Sequence, residues 1–302
     1  MINIRLDGVN VVESELTQRT FRTIPCQFLI PVTAKTQKTA LAEFASKNPQ
    51  TYSGLRVSGI ADLSFLSDFP DLLYLELVDQ AKVKTAPLQA LSNLRGLRIK
   101  TPGTGIDFSW FPLLEVFVGD WHPDNINMHH CRELRTLLAW NFKPDSQNLT
   151  PLANIVRLER LMLVKTNLES LRGIEMLEDL RSCDISYAPQ LRSLAALGEG
   201  EPQLRDLCLF NAKKIVDYRP IARCRWLRTL KLTSCVPLAD LKWLEPLQRL
   251  ESFSFVETPV ADNDLRPLLK LPALRYAGSM DKKNYTPRID DLNRQLEARF
   301  AT

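Results

Sequence analysis

Residues 158–180 read LERLMLVKTNLESLRGIEMLEDL, and two periods run through them. Leu158, Leu161 and Leu163 set out the pattern L-x-x-L-x-L, whose last positions alternate as a short half-buried strand does. After a turn, LESLRGIEMLEDL carries an apolar residue at every third position, which fits a tight helical return against the same core. Neither piece buries its leucines alone, so a further copy must cover them. One follows at once: the next pattern starts at Leu180. With other apolar residues allowed, the pattern is laid down eleven times, starting at Tyr52, Leu72, Leu94, Leu113, Leu134, Leu158, Leu180, Leu204, Leu227, Leu250 and Leu274. LRDLCL (204–209) and LRTLKL (227–232) are further clean copies. The end copies are worn (Tyr52-Leu55-Val57 and Leu274-Ala277-Ser279), as terminal units often are.

The repeat accounts for the composition. Of the 50 leucines among 302 residues, 44 fall between Leu55 and Leu274. The net charge of +4, from 39 basic and 35 acidic residues, excludes a chain built to coat nucleic acid or an anionic membrane. No apolar window is long enough for a membrane-spanning helix. Arg5, Asp7, Glu13 and Glu15 interrupt the amino-terminal stretch where a secretion leader is apolar. The six cysteines (Cys26, Cys131, Cys183, Cys208, Cys224 and Cys235) are scattered, and read as reduced thiols. Together these features lead to the expectation of a cytoplasmic protein, with the irregular repeats pointing to a bacterial source.

The eleven copies resemble the leucine-rich repeat family, in particular its 22-residue class found in internalin-type and phosphatase-regulator proteins. The resemblance covers roughly residues 52–280. It implies an α/β solenoid: a curved parallel β-sheet on the concave side and short helices or 3₁₀ turns on the convex side. One departure is clear. The family usually places Asn three residues after the last leucine of the motif. Here those positions hold Thr166, Cys235 and Thr258 in good copies, and Gln80, Pro102, Trp121 and Phe142 in others, so an irregular solenoid is expected.

Stacking implies ends that need covers. Residues 1–51 are read as an amino-terminal cap, with the apolar CQFLIPV (26–32) and a helix over TQKTALAEFASKN (36–48). Residues 52–280 form the solenoid. Residues 281–302 are read as a carboxyl-terminal capping helix, with Leu292, Leu296 and Phe300 on one face.

Side chains alternate along a strand, so the frame separates inward from outward residues. The fifth motif position reads Arg56, Glu76, Arg98, Phe117, Leu138, Met162, Asp184, Cys208, Lys231, Ser254 and Gly278. The seventh reads Ser58, Val78, Lys100, Gly119, Trp140, Val164, Ser186, Phe210, Thr233, Val256 and Met280. Arg56, Glu76 and Arg98 alternate in sign, as a charge ladder does. Trp140, Leu138, Met162 and Val164 then form an apolar centre, with Phe117, Tyr187 and Phe210 nearby. Arg98, Lys100 and Glu115 rim it on one side, and Asp184, Asp206 and Lys231 on the other; Lys165 adds a further charge. An apolar, aromatic centre with a polar rim is the anatomy of a protein interface; the alternative is that caps or loops fold over it. The doublet Leu113-Leu114 leaves one register open, since a copy starting at Leu114 turns Phe117 inward. The loops TPGTGIDFSW (101–110) and WHPDNINMHH (121–130) leave the same end of neighbouring strands. They either add Trp121 to the surface or fill space.

His122, His129 and His130, with Cys131 adjacent, are residue types that bind zinc. Their spacing disfavours one tetrahedral ion, and Cys131 sits at a core position of the repeat. Cys208 lacks a histidine in register to act as a base. No phosphate-cradling, dinucleotide or hydrolase motif occurs. The sequence therefore predicts a non-enzymatic protein without a cofactor, binding another protein through the concave face, with no nucleic acid or membrane partner. A dedicated inhibitor or immunity protein masking a toxin or enzyme is the sharper form. A homodimer through the same patch is the alternative to a monomer, and a metal protein using the three histidines is less favoured.

Overall fold

The computed structural model describes residues 3–6, 9–13, 28–46, 54–79, 83–100, 105–200 and 202–300, with side chains from Phe28 onward. Cys26 and the first motif position, Tyr52, lie outside the described residues. The chain divides into two compact units, residues 1–140 and 141–302.

In the first unit the strands follow chain order across one sheet. β1 (Asn3–Leu6) and β2 (Val9–Glu13) pair antiparallel, and β2 pairs antiparallel with β3 (Phe28–Thr33). From β3 on, the ladder is parallel: β4 (Gly54–Ser58), β5 (Tyr74–Val78), β6 (Gly96–Ile99), β7 (Val116–Asp120) and β8 (Thr136–Trp140). Helix α1 (Gln37–Ser46) makes the crossover from β3 to β4, within the stretch expected to be helical.

The second unit continues the pattern with β9 (Arg160–Val164), β10 (Ser182–Ser186), β11 (Asp206–Phe210), β12 (Thr229–Thr233), β13 (Ser252–Ser254) and β14 (Tyr276–Gly278), all parallel. Its last element is helix α2 (Ile289–Ala298). Every strand of the repeat falls on the third to seventh motif positions, because that is where the side chains alternate.

The register explains the leucines. Leu55, Leu75, Leu97, Phe117 and Leu137 are successive cross-strand partners in the first unit, and Leu161, Cys183, Leu207, Leu230, Phe253 and Ala277 in the second. All are at most 2% exposed. Truncating a leucine in such a row costs about 2–5 kcal/mol.

This register corrects the fourth copy. It starts at Leu114, which is fully buried, whereas Leu113 is 40% exposed. Phe117 and Gly119 therefore face inward, and Val118 and Asp120 take their outward places. Leu114 lies 20 residues from both Leu94 and Leu134, so the corrected frame is also the more regular one.

The returns are short 3₁₀ helices rather than α-helices. The leucines explain this too: Leu265, Leu268, Leu271 and Leu274 recur every three residues and are all buried, which matches a helix of three residues per turn. Pro87, Pro151, Pro220 and Pro267 stand in the first turn of four of these helices, where a missing N–H is harmless. A short polar side chain opens several of these helices, with or without the proline, by accepting the backbone N–H two residues on: Asp107 from Ser109 at 3.0 Å, Asn148 from Thr150 at 2.9 Å, Asp217 from Arg219 at 2.9 Å.

At the position where the family usually has Asn, this chain substitutes other bonds. The Thr166 hydroxyl donates to the Phe142 carbonyl at 2.6 Å, and Thr258 accepts the Cys235 N–H at 3.0 Å. The Cys235 thiol points at the Leu209 and Thr233 carbonyls.

Helix α2 covers β14. Leu292 and Leu296 are fully buried, while Phe300, expected on the same face, is 39% exposed beneath Arg275. The Asn293 amide pairs with the edge strand as a neighbouring peptide would. Its Oδ1 accepts the Ala277 N–H and its Nδ2 donates to the Ala277 carbonyl, both at 2.9 Å.

Candidate functional site

The sequence-derived surface divides between the two units: Arg98, Phe117, Trp121, Leu138 and Trp140 lie in the first, Met162, Val164, Lys165, Asp184, Tyr187, Phe210 and Lys231 in the second.

In the first unit the outward rows are largely buried. Glu76 is 0% exposed, Arg56 5%, Arg98 8%, Val118 0% and Leu138 3%. Leu138 does occupy the outward row, yet it is not open surface, and Phe117 is core. Arg56 and Glu76, cross-strand partners in the expected ladder, form a buried ion pair at 2.9 Å. Breaking such a pair costs far more than breaking an exposed one. Trp121 is half-buried; its ring stacks on Phe108 at 6.0 Å, and its backbone N–H donates to the Trp140 carbonyl at 2.7 Å. The described part of the first irregular loop, residues 105–110, lies against the second; residues 101–104 are outside the described residues. The Phe108 N–H donates to the Ile126 carbonyl at 3.1 Å, and Asn127 Nδ2 donates to Asp107 Oδ1 at 3.0 Å. Both continue into 3₁₀ returns like those of other copies.

Trp140 and Arg98 remain part of a feature that the sequence frame missed. A cavity of about 230 Å³ opens on the outward face, lined by Arg98, Lys100, Val118, Gly119, Asp120 and Trp140. The doubled leucine hid it, because the one-residue shift had placed Phe117 and Gly119 where Val118 and Asp120 stand.

The second unit is different. In β9 to β12 buried inward residues alternate with outward residues that keep contact with solvent. Met162, Asp184, Cys208 and Lys231 are cross-strand partners in one outward row, and Val164, Ser186, Phe210 and Thr233 in the next. Tyr187 is 44% exposed and meets Phe210 edge to face at 4.8 Å. Lys165 and Lys231 are exposed. Asp184 accepts the Ser186 hydroxyl at 2.8 Å. Burial raises the Asp184 carboxyl above its ordinary range, against the pull of the Ser186 bond and of Lys231. The Cys208 thiol beside it is pushed up to about 11, by burial first and then by Asp184. A thiol so raised is protonated at neutral pH and a poor nucleophile.

The histidines do not converge with Cys131. The Cys131 thiol faces the Phe108 and Phe111 carbonyls inside the core, and burial raises it to about 12. His129 and His130 are exposed, and His122 Nδ1 accepts the Asp124 N–H at 3.1 Å. Among the described residues no group of three or more His, Cys, Asp or Glu is placed to hold a metal ion.

By fold the chain is a leucine-rich-repeat solenoid. Its likeness is to solved structures. The internalin InlF of Listeria monocytogenes aligns with a TM-score of 0.60 and 16% identity over 78% of this chain and 71% of that one. A leucine-rich-repeat protein of Leptospira interrogans aligns at 0.66 and 19%, over 82% of this chain and 64% of that one. TLR13, solved in complex with the RNA ssRNA13, aligns at 0.58 and 17%, over 83% of this chain and 38% of that one. At these identities the likeness is one of fold. No family model and no curated protein sequence matches the chain.

The expectation of a cytoplasmic location is corrected by the likeness to an internalin, since internalin-family proteins are secreted or cell-surface proteins of bacteria. The cysteines misled for a physical reason. Cys131, Cys183 and Cys224 are unpaired because they fill core positions, and core packing carries no information about the redox state of a compartment.

Proposed function

We propose that this chain binds a partner protein on the outward face of β9 to β12. Met162, Val164, Tyr187 and Phe210 are the apolar anchors, and Lys165, Asp184 and Lys231 set the partner's orientation. The observation that carries this reading is the contrast between the units. Val78, Val118 and Leu138 hold outward motif positions of β5, β7 and β8 and are buried. Met162, Val164 and Phe210, at the same positions of β9 and β11, keep contact with solvent, as Trp140 alone does among the apolar outward residues of β5 to β8. These side chains serve no stacking role, and a few apolar anchors inside a polar rim carry most of the affinity of an interface. The sharper form is an inhibitor or immunity protein that masks one enzyme or toxin, with residues 1–51 and 281–302 serving as covers for the ends of the repeat.

The test is capture of the partner from the native cell by wild type and by Met162→Asp and Phe210→Asp. One near-stoichiometric protein, held roughly tenfold or more weaker by either variant, supports the reading. Unchanged capture by both variants rejects this face. Nuclease treatment before elution tests a nucleic-acid partner of the kind present in the TLR13 complex, and retention that depends on nucleic acid rejects a protein partner. Light scattering on the same proteins tests the homodimer, for which the wild type has twice the monomer mass and the variants do not. Leu138→Asp is not a clean probe, because it buries a charge at a position 3% exposed.

A further inference from the structure

We infer that the cavity over β7 is a subsite for one acidic side chain, Asp or Glu, of a bound protein. This rests on the reading of the outward face as a protein-docking surface, and extends it to the first unit.

Three strands build the cavity. Arg98 stands on β6 and Lys100 directly follows that strand, two residues on from Arg98, so both point to the outward side. Val118 and the Gly119 backbone form the floor, on β7, and Trp140 rises from β8. Arg98 is the cross-strand partner of Val118, and Asp120 that of Trp140. Strands β6 and β8 flank β7 at ~4.8 Å each, so the cationic wall and the indole stand on the order of 10 Å apart. That gap, with about 230 Å³ of space, takes one side chain. Its stem lies along the indole of the half-buried Trp140, and its head meets the exposed Lys100 and the accessible edge of Arg98.

Charge selects the head. Two cations and the carboxylate of Asp120 line the cavity. Glu76, the cross-strand partner of Arg98, is itself paired with Arg56. The cluster of Arg56, Arg98 and Lys100 against Glu76 and Asp120 therefore keeps one positive charge, which a guest carrying one negative charge balances. A cationic guest meets two like charges. A neutral guest strips water from Lys100, which is exposed, and returns no counter-charge. Asp120 beside Trp140 disfavours a second carboxylate, so one acidic residue fits and an acidic run does not.

The probes are N-acetyl-glutamate methylamide, its glutamine counterpart and acetate. Each is titrated into the intact protein while the indole N–H resonances of its five tryptophans are followed by NMR, with Trp140→Phe assigning the signal. The expected result is a saturable shift of the Trp140 signal with the glutamate probe, at least tenfold weaker with glutamine. In Lys100→Gln that preference is lost while the other indole signals stay in place. Equal response to both probes, no saturable shift, or an unaltered preference in Lys100→Gln overturns the inference. Acetate binding as tightly as the glutamate probe overturns it too, assigning the cavity to a free organic acid. None of these outcomes depends on the captured partner, so the subsite can fail while the docking face of the second unit stands, and the reverse.

Discussion

At the end of most of the repeat strands one residue turns left-handed. Gly59, Asp79, Asn141, Lys165, Tyr187, Asn211, Ser234 and Glu257 follow the seventh motif position and have φ between 50° and 64°. From Asn141 to Ser234, their N–H groups reach the carbonyl of the seventh motif residue in the next copy, as Tyr187 does to the Phe210 carbonyl at 2.9 Å. Gly and Asn suit this conformation, whereas Lys165 and Tyr187 hold it at a cost of about 1–2 kcal/mol each. That cost turns Tyr187 against Phe210, which is why a residue outside the alternating frame joins the candidate surface. Two glycines separate backbone strain from steric conflict. A Cβ at Gly59 meets nothing within 4 Å, so Gly59→Ala is expected to cost about 1 kcal/mol, from the left-handed backbone alone. A Cβ at Gly119 would lie 2.1 Å from the Ile99 carbonyl oxygen. Gly119→Ala must part β6 from β7, and is expected to cost about 3 kcal/mol or more. Urea midpoints at constant m measure both. A Gly119→Ala cost no larger than that of Gly59→Ala would return Gly119 to the outward face and undo the corrected register.

At the scale of elements, the two units close their structure by different means. The amino-terminal strands add antiparallel pairs to a parallel ladder, whereas β14 has its edge met by a side chain. An open edge strand exposes backbone groups that recruit other chains. The Asn293 amide engages both polar groups of Ala277 and is itself held by α2, whose Leu292 and Leu296 are buried. Asn293→Ala is therefore expected to cost about 1–3 kcal/mol and to speed deuterium exchange at the Ala277 amide. Asn293→Asp keeps the acceptor and loses the donor, so it should retain protection at that amide while still losing stability. Equal protection in wild type and Asn293→Ala would show that the amide does not close the edge. The helix was legible beforehand from Leu292 and Leu296. The role of Asn293 was not, because a polar residue on a capping helix is indistinguishable in sequence from a solvated one. The strands were legible because the same alternation recurs in each copy. The one slip, at Leu113-Leu114, came where two leucines satisfy the motif equally and only burial decides between them. The candidate surface was legible in part. The frame gives the direction of a side chain but not what else covers it, so Met162 and Phe210 lie in contact with solvent while Leu138, equally outward, does not.

Over the whole chain, two sets of carboxylates couple folding to pH with opposite signs. Asp62, Asp107, Asp217 and Asp264 open 3₁₀ returns, and Asp281 holds Arg288. Hydrogen bonds from Ser64, Ser109, Arg219, Arg266 and Arg288 keep them below the ordinary carboxylate range. A group whose folded pKa is depressed contributes stability above its unfolded pKa and loses that contribution as pH falls toward the folded value. The midpoint temperature is therefore expected to hold level down to about pH 5 and to fall below about pH 4. Asp184 has the reverse sign. Burial raises its folded pKa, so the ionised carboxylate weakens the fold at neutral pH, and protonation relieves the penalty. Asp184→Asn keeps an acceptor for the Ser186 hydroxyl and removes the charge. It should raise the midpoint temperature at pH 7, and the gain should vanish below about pH 4, where the carboxylate is protonated in both states. A gain that persists unchanged into acid would assign the effect to packing instead of charge. A carboxylate kept at a cost to stability, on the face where Met162 and Phe210 meet solvent, is what a binding residue looks like in the unbound protein. The same substitution should therefore stabilise the free chain and weaken capture of its partner, whereas a residue with only a structural role would move both in the same direction.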